Sequence, residues 1–303
     1  MKLTILGCHS ATPRTDTNPT SQVLEMKNHM FLIDCGEGTQ VELRRNKIKF
    51  SRIKHIFISH LHGDHYFGLV GLISTFRLLT RETELHIYAP KGLKEIVTLQ
   101  MKLAKSWTNY NLIFHELESD SSEIIYEDDK VEVCTIPLEH RVYTNGFLFR
   151  EKLGDRRLNV QAIQQCEEIE ICDYQNLKNG RDFILKNGTI LKNNTLTLDP
   201  VPSKSYAFCS DTSYFPEIVP IIKKVNCLYH EATFLKDKEN LAYTTKHSTA
   251  QQAASIAKQA GVNQLIIGHY SGRYKSIEAF KDEAQEIFEQ TFLASEGKTF
   301  EIK

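Results

Sequence analysis

No apolar run in this chain approaches the ~20 residues that a membrane helix needs, so no membrane-spanning helix is expected. The first residues, Met1 to Gly7, form too short an apolar stretch for a secretory signal. Paired-cysteine spacing is missing too. Cys8, Cys35, Cys134, Cys166, Cys172, Cys209 and Cys227 are odd in number and include no Cys-x-x-Cys. That pattern argues against a disulfide framework and for reduced thiols in a cytoplasmic protein. Charge of one sign is lacking as well. A formal net charge of −1 gives no global attraction to nucleic acid or anionic lipid, so any polyanion binding must rest on local patches. No fixed-period repeat and no low-complexity tract interrupts the chain. What remains is ordinary for a globular protein: 303 residues, 41% hydrophobic and 25% charged, enough for one large core or two halves.

What the chain does have is a dense histidine motif, Ser59-His60-Leu61-His62-Gly63-Asp64-His65. The apolar run His55-Ile56-Phe57-Ile58 before it reads as a buried strand. The run Tyr66 to Ile73 after it reads as the start of a helix extending to about Leu79. His60 and His62 are two apart, so on an extended backbone both imidazoles face one way and reach one ion. Asp64 and His65 stand where the chain turns into the helix and can face a second ion. Imidazole and carboxylate together suit Zn²⁺ and, less well, manganese or iron.

Elsewhere the pattern alternates strands with helices and includes short antiparallel pairs, which predicts sheets covered by helices. Asp34-Cys35-Gly36-Glu37-Gly38 is a Gly-rich turn at a strand end. Asp34 there is either a carboxylate under the metal ligands or an ordinary turn residue. His140, Asp211, His230-Glu231-Ala232-Thr233 and His269 each follow a predicted strand, where open α/β sheets place their sites. His247-Ser248-Thr249 opens a helix over Ala250 to Ala260, with Ser248 or Thr249 as N-cap. From about residue 151 to 176 the pattern breaks into a polar, mixed-charge segment, read as an arm-like insertion in an otherwise single domain over 1–303. Beyond it, Asn187-Gly188 between Phe183-Ile184-Leu185 and Thr189-Ile190-Leu191 signals a two-residue hairpin turn. The run Arg44, Arg45, Lys47, Lys49, Arg52, Lys54 is either an RNA track or a solvated face. His9, His29, His55, His86 and His115 read as structural or solvated, although the loop of His9 could face the site.

Taken together, these stretches resemble a known family. His60-x-His62-x-Asp64-His65 with His140, Asp211 and His269 resembles the ligand set of the metallo-β-lactamase fold. Asp34-Cys35-Gly36-Glu37-Gly38-Thr39-Gln40, His230-Glu231-Ala232-Thr233, His247-Ser248-Thr249 and His269-Tyr270-Ser271-Gly272-Arg273-Tyr274 resemble, within that fold, ribonuclease Z, the transfer-RNA 3′-processing endoribonuclease. The resemblance spans Met1 to about Arg150 and about Leu177 to the end. The arm of short family members commonly carries a Gly-Pro motif, and Glu170 to Asn176 has none.

The resemblance implies an α/β, four-layer αβ/βα sandwich and two zinc ions per chain. His60, His62 and His140 would hold one ion, and Asp64, His65 and His269 the other, with Asp211 bridging. It implies a metal-activated hydroxide that cuts the 3′ trailer from precursor tRNA and leaves a 3′-hydroxyl. Asp64 would take the hydroxide proton, and His247, oriented by Glu231, would protonate the leaving oxygen. Arg273, with Tyr270 and Tyr274, would meet phosphate and base, or else merely cap a turn. A homodimer is implied, in which one subunit's arm holds RNA cut by the other. Two other readings remain: a hydrolase of small phosphodiesters or sulfate esters, and an inactive RNA-binding scaffold.

Overall fold

The computed structural model describes residues 1–303, and the chain divides into two compact units. The first comprises Met1–Glu127, Val131–Arg150 and Lys204–Lys303. It holds two seven-stranded mixed sheets. Strand order in one is Thr299–Glu301, Lys2–Gly7, Ser21–Met26, His29–Ile33, Ile53–Phe57, Leu85–Pro90, Leu112–Leu117. In the other it is Thr291–Leu293, Gln264–Gly268, Cys227–Glu231, Ser205–Cys209, Thr144–Glu151, Val131–Leu138, Ile124–Glu127. Four strands of each sheet, from His29–Ile33 to Leu112–Leu117 and from Ser205–Cys209 to Thr291–Leu293, run parallel.

Strand alternation sorts the side chains into layers. Phe31 and Ile33 enter the core between the sheets, where Phe31 meets Phe149 and Phe57 meets Phe147, both at 5.4 Å between ring centroids. Met30 and Leu32 face the other way, into a second core shared with helices Leu69–Leu78 and Leu93–Leu103. Parallel strands covered on both faces read as continuous apolar runs, and Ile56-Phe57-Ile58 is one. On the outer face of the second sheet lies helix Ala250–Ala260. Its buried Ala253, Ala254, Ala257 and Ala260 let it sit close. Thr249 caps it, accepting from the Gln252 N–H while the Gln252 side chain returns the bond, and Gly261 ends it at φ 62.

The helix expected to run unbroken from the histidine motif is two helices, Gly63–Tyr66 and Leu69–Leu78. At the break the Gly68 N–H donates to the Cys35 carbonyl at 2.9 Å, outside the helix. A Cβ on Gly68 would lie 2.2 Å from the Gly36 carbonyl oxygen, so glycine is what admits the turn after Asp34 this close.

The second unit comprises Asp128–Lys130 and Glu151–Ser203. It takes in the stretch expected as an arm and continues past 176, because Leu196 joins Ile163, Ile169 and Leu177 in a small core of its own. Its hairpin pairs Phe183–Ile184 with Ile190–Leu191. The connection is three residues, not two: Leu185 N–H donates to the Thr189 carbonyl at 2.9 Å and Gly188 takes φ 84. A type I turn closed by a left-handed glycine matches this geometry.

Candidate metal centre and active site

The parallel strands deliver their polar ends to one place. Ile53–Phe57 leads to the histidine motif, Ser205–Cys209 to Asp211, Cys227–Glu231 to Thr233, and Gln264–Gly268 to His269. His140 arrives from the loop after Val131–Leu138. His60, His65, Asp211 and His269 are buried.

Asp211 presents its two oxygens to different groups. Oδ2 lies 3.6 Å from His60 Nε2 and 3.9 Å from His140 Nε2. Both of those nitrogens face His62 Nδ1, at 3.0 and 3.2 Å. Oδ1 lies 3.4 Å from His65 Nε2 and 3.3 Å from His269 Nε2, and those nitrogens are 3.5 and 3.4 Å from Asp64 Oδ2. Ligand atoms about 2.0–2.1 Å from a tetrahedral ion stand about 3.3 Å apart, which matches both groups.

The outer ring nitrogens explain why the inner ones are bare. His65 Nδ1 donates to Asp34 at 2.7 Å, and His140 Nδ1 donates to the Lys246 carbonyl at 2.7 Å. Ser59 Oγ donates to Asp34 and so accepts from His60 Nδ1 at 3.0 Å. Thr233 Oγ1 donates to Glu231 and accepts from His269 Nδ1 at 2.8 Å. Four imidazoles are thereby held with the other nitrogen's lone pair pointing inward at carboxylate oxygens. His65 Nε2 and Asp211 Oδ1 are buried with no hydrogen-bond partner in the protein. Buried polar atoms are rarely left so, and converging lone pairs are what a cation relieves. The donor set therefore fits two metal ions.

Asp34 and His269 adopt φ 53 and φ 64, left-handed conformations that non-glycine residues rarely hold. Of the two readings of Asp34, the carboxylate beneath the ligands is the one observed. Burial opposes ionisation of Asp64, yet His65 and His269 hold its carboxyl below the ordinary range.

Glu231 is fully buried and accepts from five donors: the backbone N–H groups of Thr212, Thr233 and Ser248, the Thr233 hydroxyl, and His247 Nδ1 at 2.8 Å. Burial works against a charged His247, but the Glu231 carboxylate prevails and raises it to about 9. With Nδ1 committed, Nε2 is left for the cavity that the ring lines. That cavity is about 630 Å³.

Of the residues expected to meet substrate, Arg273 lines this cavity. Tyr270 does not. It is 0% exposed and its hydroxyl donates to the Ile267 carbonyl at 2.6 Å, so its ring is core. Tyr274 packs on Phe280, and its hydroxyl accepts from the Leu235 N–H at 3.0 Å. His9 is turned toward Glu296, at 3.2 Å, while Ser10, Ala11 and Thr12 of its loop line the cavity. In the basic run, Arg45 pairs with Glu42 and Arg52 with Glu25. Arg141 and Phe234 also line the cavity and were not singled out from the sequence. Neither lies in a patterned motif. The only signal was that each stands next to one, Arg141 after His140 and Phe234 after Thr233.

Two facing sheets with helices outside, and imidazole and carboxylate ligands gathered at the strand ends, define a metal-dependent hydrolase of the metallo-β-lactamase fold. A metallo-β-lactamase fold protein from Bacillus subtilis superposes with a TM-score of 0.68 at 17% identity, covering 99% of each chain. The family model described as Anti-Pycsar protein Apyc1 matches residues 1–174. That span includes six of the seven strands of the first sheet and the histidine motif but ends before Asp211, Glu231, His247 and His269. Similarity over the full length is more specific. The ribonuclease Z of Bacteroides thetaiotaomicron is 46% identical over 301 residues, 99% of this chain and 95% of that one. The crystal structure of the short form of human tRNase Z matches with a TM-score of 0.74 at 26% identity, covering 100% of both chains. The chain belongs to the ribonuclease Z family. No helix in it is long and apolar enough to cross a membrane.

Proposed function

We propose that this protein is an endoribonuclease that removes the 3′ trailer from precursor tRNA, leaving a 3′-hydroxyl on the tRNA and a 5′-phosphate on the trailer. Its family membership supports the substrate. The observation that carries the chemistry is the Glu231–His247 pair, whose imidazole lies 4.0 Å from the carboxylate shared by the two ligand groups. In this reading His60, His62 and His140 would hold one zinc, Asp64, His65 and His269 would hold the other, and Asp211 would be shared between them. Two dications there would neutralise phosphodiester charge and supply hydroxide near neutral pH.

The chain's own residues do the rest. Asp64, kept ionised, accepts the proton of the attacking group. Attack in line breaks the P–O3′ bond, and the departing oxygen takes its proton from His247, which Glu231 holds in place. Arg141 and Arg273 on the cavity wall meet neighbouring phosphates. The Glu151–Ser203 unit acts as an arm for tRNA within one metallo-β-lactamase-fold domain, and two chains form a dimer. Seven unpaired cysteines support a reducing, cytoplasmic setting.

The test is incubation with a precursor tRNA carrying a 3′ trailer, with the ends of both products mapped and metal content measured on the same sample. A single cut with a 3′-hydroxyl upstream, and about two zinc ions per chain, is the expected result. Stepwise trimming, cleavage of small phosphodiesters alone, or no bound transition metal overturns the reading.

A further inference from the structure

Two residues outside the proposed ligand and acid set stand directly before members of it. Glu139 precedes His140, and Lys246 precedes His247. Their side chains pair, Lys246 Nζ donating to Glu139 Oε1. We propose that Glu139 and Lys246 form a clasp that sets the position of the His247 imidazole relative to the metal ligand His140, which makes both positioning residues for proton donation. The inference rests on the reading of His247 as the acid.

Three loops meet at this clasp. The Lys246 carbonyl accepts from His140 Nδ1 at 2.7 Å, so one residue holds the ligand through its backbone and the ligand's neighbour through its side chain. Glu139 is tied in turn to the loop after Asp211. Its N–H donates to Thr212 Oγ1 at 3.1 Å, its carbonyl accepts from the Ser213 N–H at 2.9 Å, and its Oε2 accepts from Ser213 Oγ at 3.0 Å. Ser248 Oγ closes the ring of contacts by donating to the Thr212 carbonyl at 2.8 Å. The His140 and His247 rings end 5.1 Å apart.

Backbone geometry points the same way. Lys246 ends helix Glu239–Thr245 at φ 59 and ψ 51, where glycine is the usual residue. A lysine held there costs conformational energy that glycine would not, and what lysine adds is the ammonium on Glu139. The side chains of Lys246 and Glu139 are 35% and 43% exposed, so the ion pair contributes little to global stability. Its consequence is local. Misplacing a reacting group by about 1 Å loses on the order of a hundredfold in rate.

The experiment compares Glu139→Ala, Lys246→Met, Lys246→Arg and His247→Ala as metal-replete full-length proteins. Each is assayed on a trailer-bearing precursor tRNA and on bis(p-nitrophenyl) phosphate, whose leaving group needs no proton. Metal content and thermal midpoint are measured alongside. Glu139→Ala and Lys246→Met should lower kcat on the tRNA about tenfold more than on the nitrophenyl ester, with KM for tRNA and metal content retained. Lys246→Arg should restore most of the loss. If His247→Ala discriminates between the substrates but neither clasp variant does, the clasp is overturned and the acid stands. If His247→Ala loses equally on both, the acid reading falls and the clasp with it. Loss of metal from Glu139→Ala and Lys246→Met alike would show that the pair secures His140 as a ligand and not the acid, and also overturns the proposal.

Discussion

Asp34 touches no substrate, yet it decides which nitrogen of His65 faces inward. Its carboxylate takes His65 Nδ1–H on one oxygen and the Ser59 N–H on the other, at 2.7 and 2.8 Å. Asp34→Asn keeps the size but can present an amide N–H to the ring and favour the wrong tautomer. We predict that this variant folds but binds metal about 10–100-fold more weakly, as found for groups that orient a ligating histidine. Competition with a chromogenic chelator measures this, and an unchanged affinity would show that His65 needs no such partner. Arg141 offers a second prediction at this scale. It lines the cavity together with His62 and His247. If it contacts a phosphate, Arg141→Gln should weaken precursor binding and reduce the slope of log K against log salt by about one. An identical slope in both proteins removes Arg141 from the RNA interface.

At the scale of elements, the strands of the first sheet carry a histidine row outside the candidate ligand set. His55 pairs in register with His86, and their rings stack at 5.0 Å. His86 Nδ1 faces His115 Nε2 at 3.0 Å, and Tyr126 covers His55 at 4.4 Å. Burial, with the charges of His86, His29, His115 and Lys54 adding to it, pushes His55 down to about 3. In the unfolded chain it titrates near the ordinary value, about 6.5. Between those values the unfolded state binds the extra proton. Stability from this group is therefore complete above about pH 6.5 and is lost as pH falls, by up to about 1.4 kcal/mol per pH unit. Denaturant midpoints from near neutrality down into this range should show a shallower acid decline for His55→Phe than for the unaltered protein. Parallel declines would place the acid sensitivity in other groups.

For the whole molecule, the prediction concerns assembly. Helix Thr39–Arg45 and helix Leu69–Leu78 expose Val41 (47%) and Leu78 (81%), which line one groove of about 400 Å³ with Leu79. Side chains of that kind are depleted from monomer surfaces when they cluster. If this groove is where two chains meet, Leu78→Glu should convert a dimeric mass to a monomeric one at micromolar concentration without loss of bound metal. Sedimentation of both proteins decides it. A dimer that persists in the variant puts the interface elsewhere, and a monomer in both removes the dimer altogether.

What the sequence determined by itself was whatever short-range pattern encodes. The histidine motif specified a cluster of candidate ligands, because alternate residues on an extended chain share a face. Ser248-Thr249 specified a helix start, because a hydroxyl N-cap is local chemistry, and the structure chose Thr249. The same logic placed Asp211, Glu231 and His269 at strand ends. What only the tertiary structure decided involved partners distant along the chain. Asp34 is a turn residue until the sheet sets it against His65, 31 positions away. Tyr270 sits in a motif with Arg273, but the chain turns at His269 after the strand ends and the Tyr270 ring enters the core, its hydroxyl on the Ile267 carbonyl, and no residue pattern around it says so. Lys246 lies in no motif at all, and its carbonyl and ammonium acquire meaning only when folding brings His140 and Glu139, more than 100 residues away, within hydrogen-bond reach. Local pattern reports which way a side chain faces along its own element. Which atoms complete its hydrogen bonds is settled when the sheets pack.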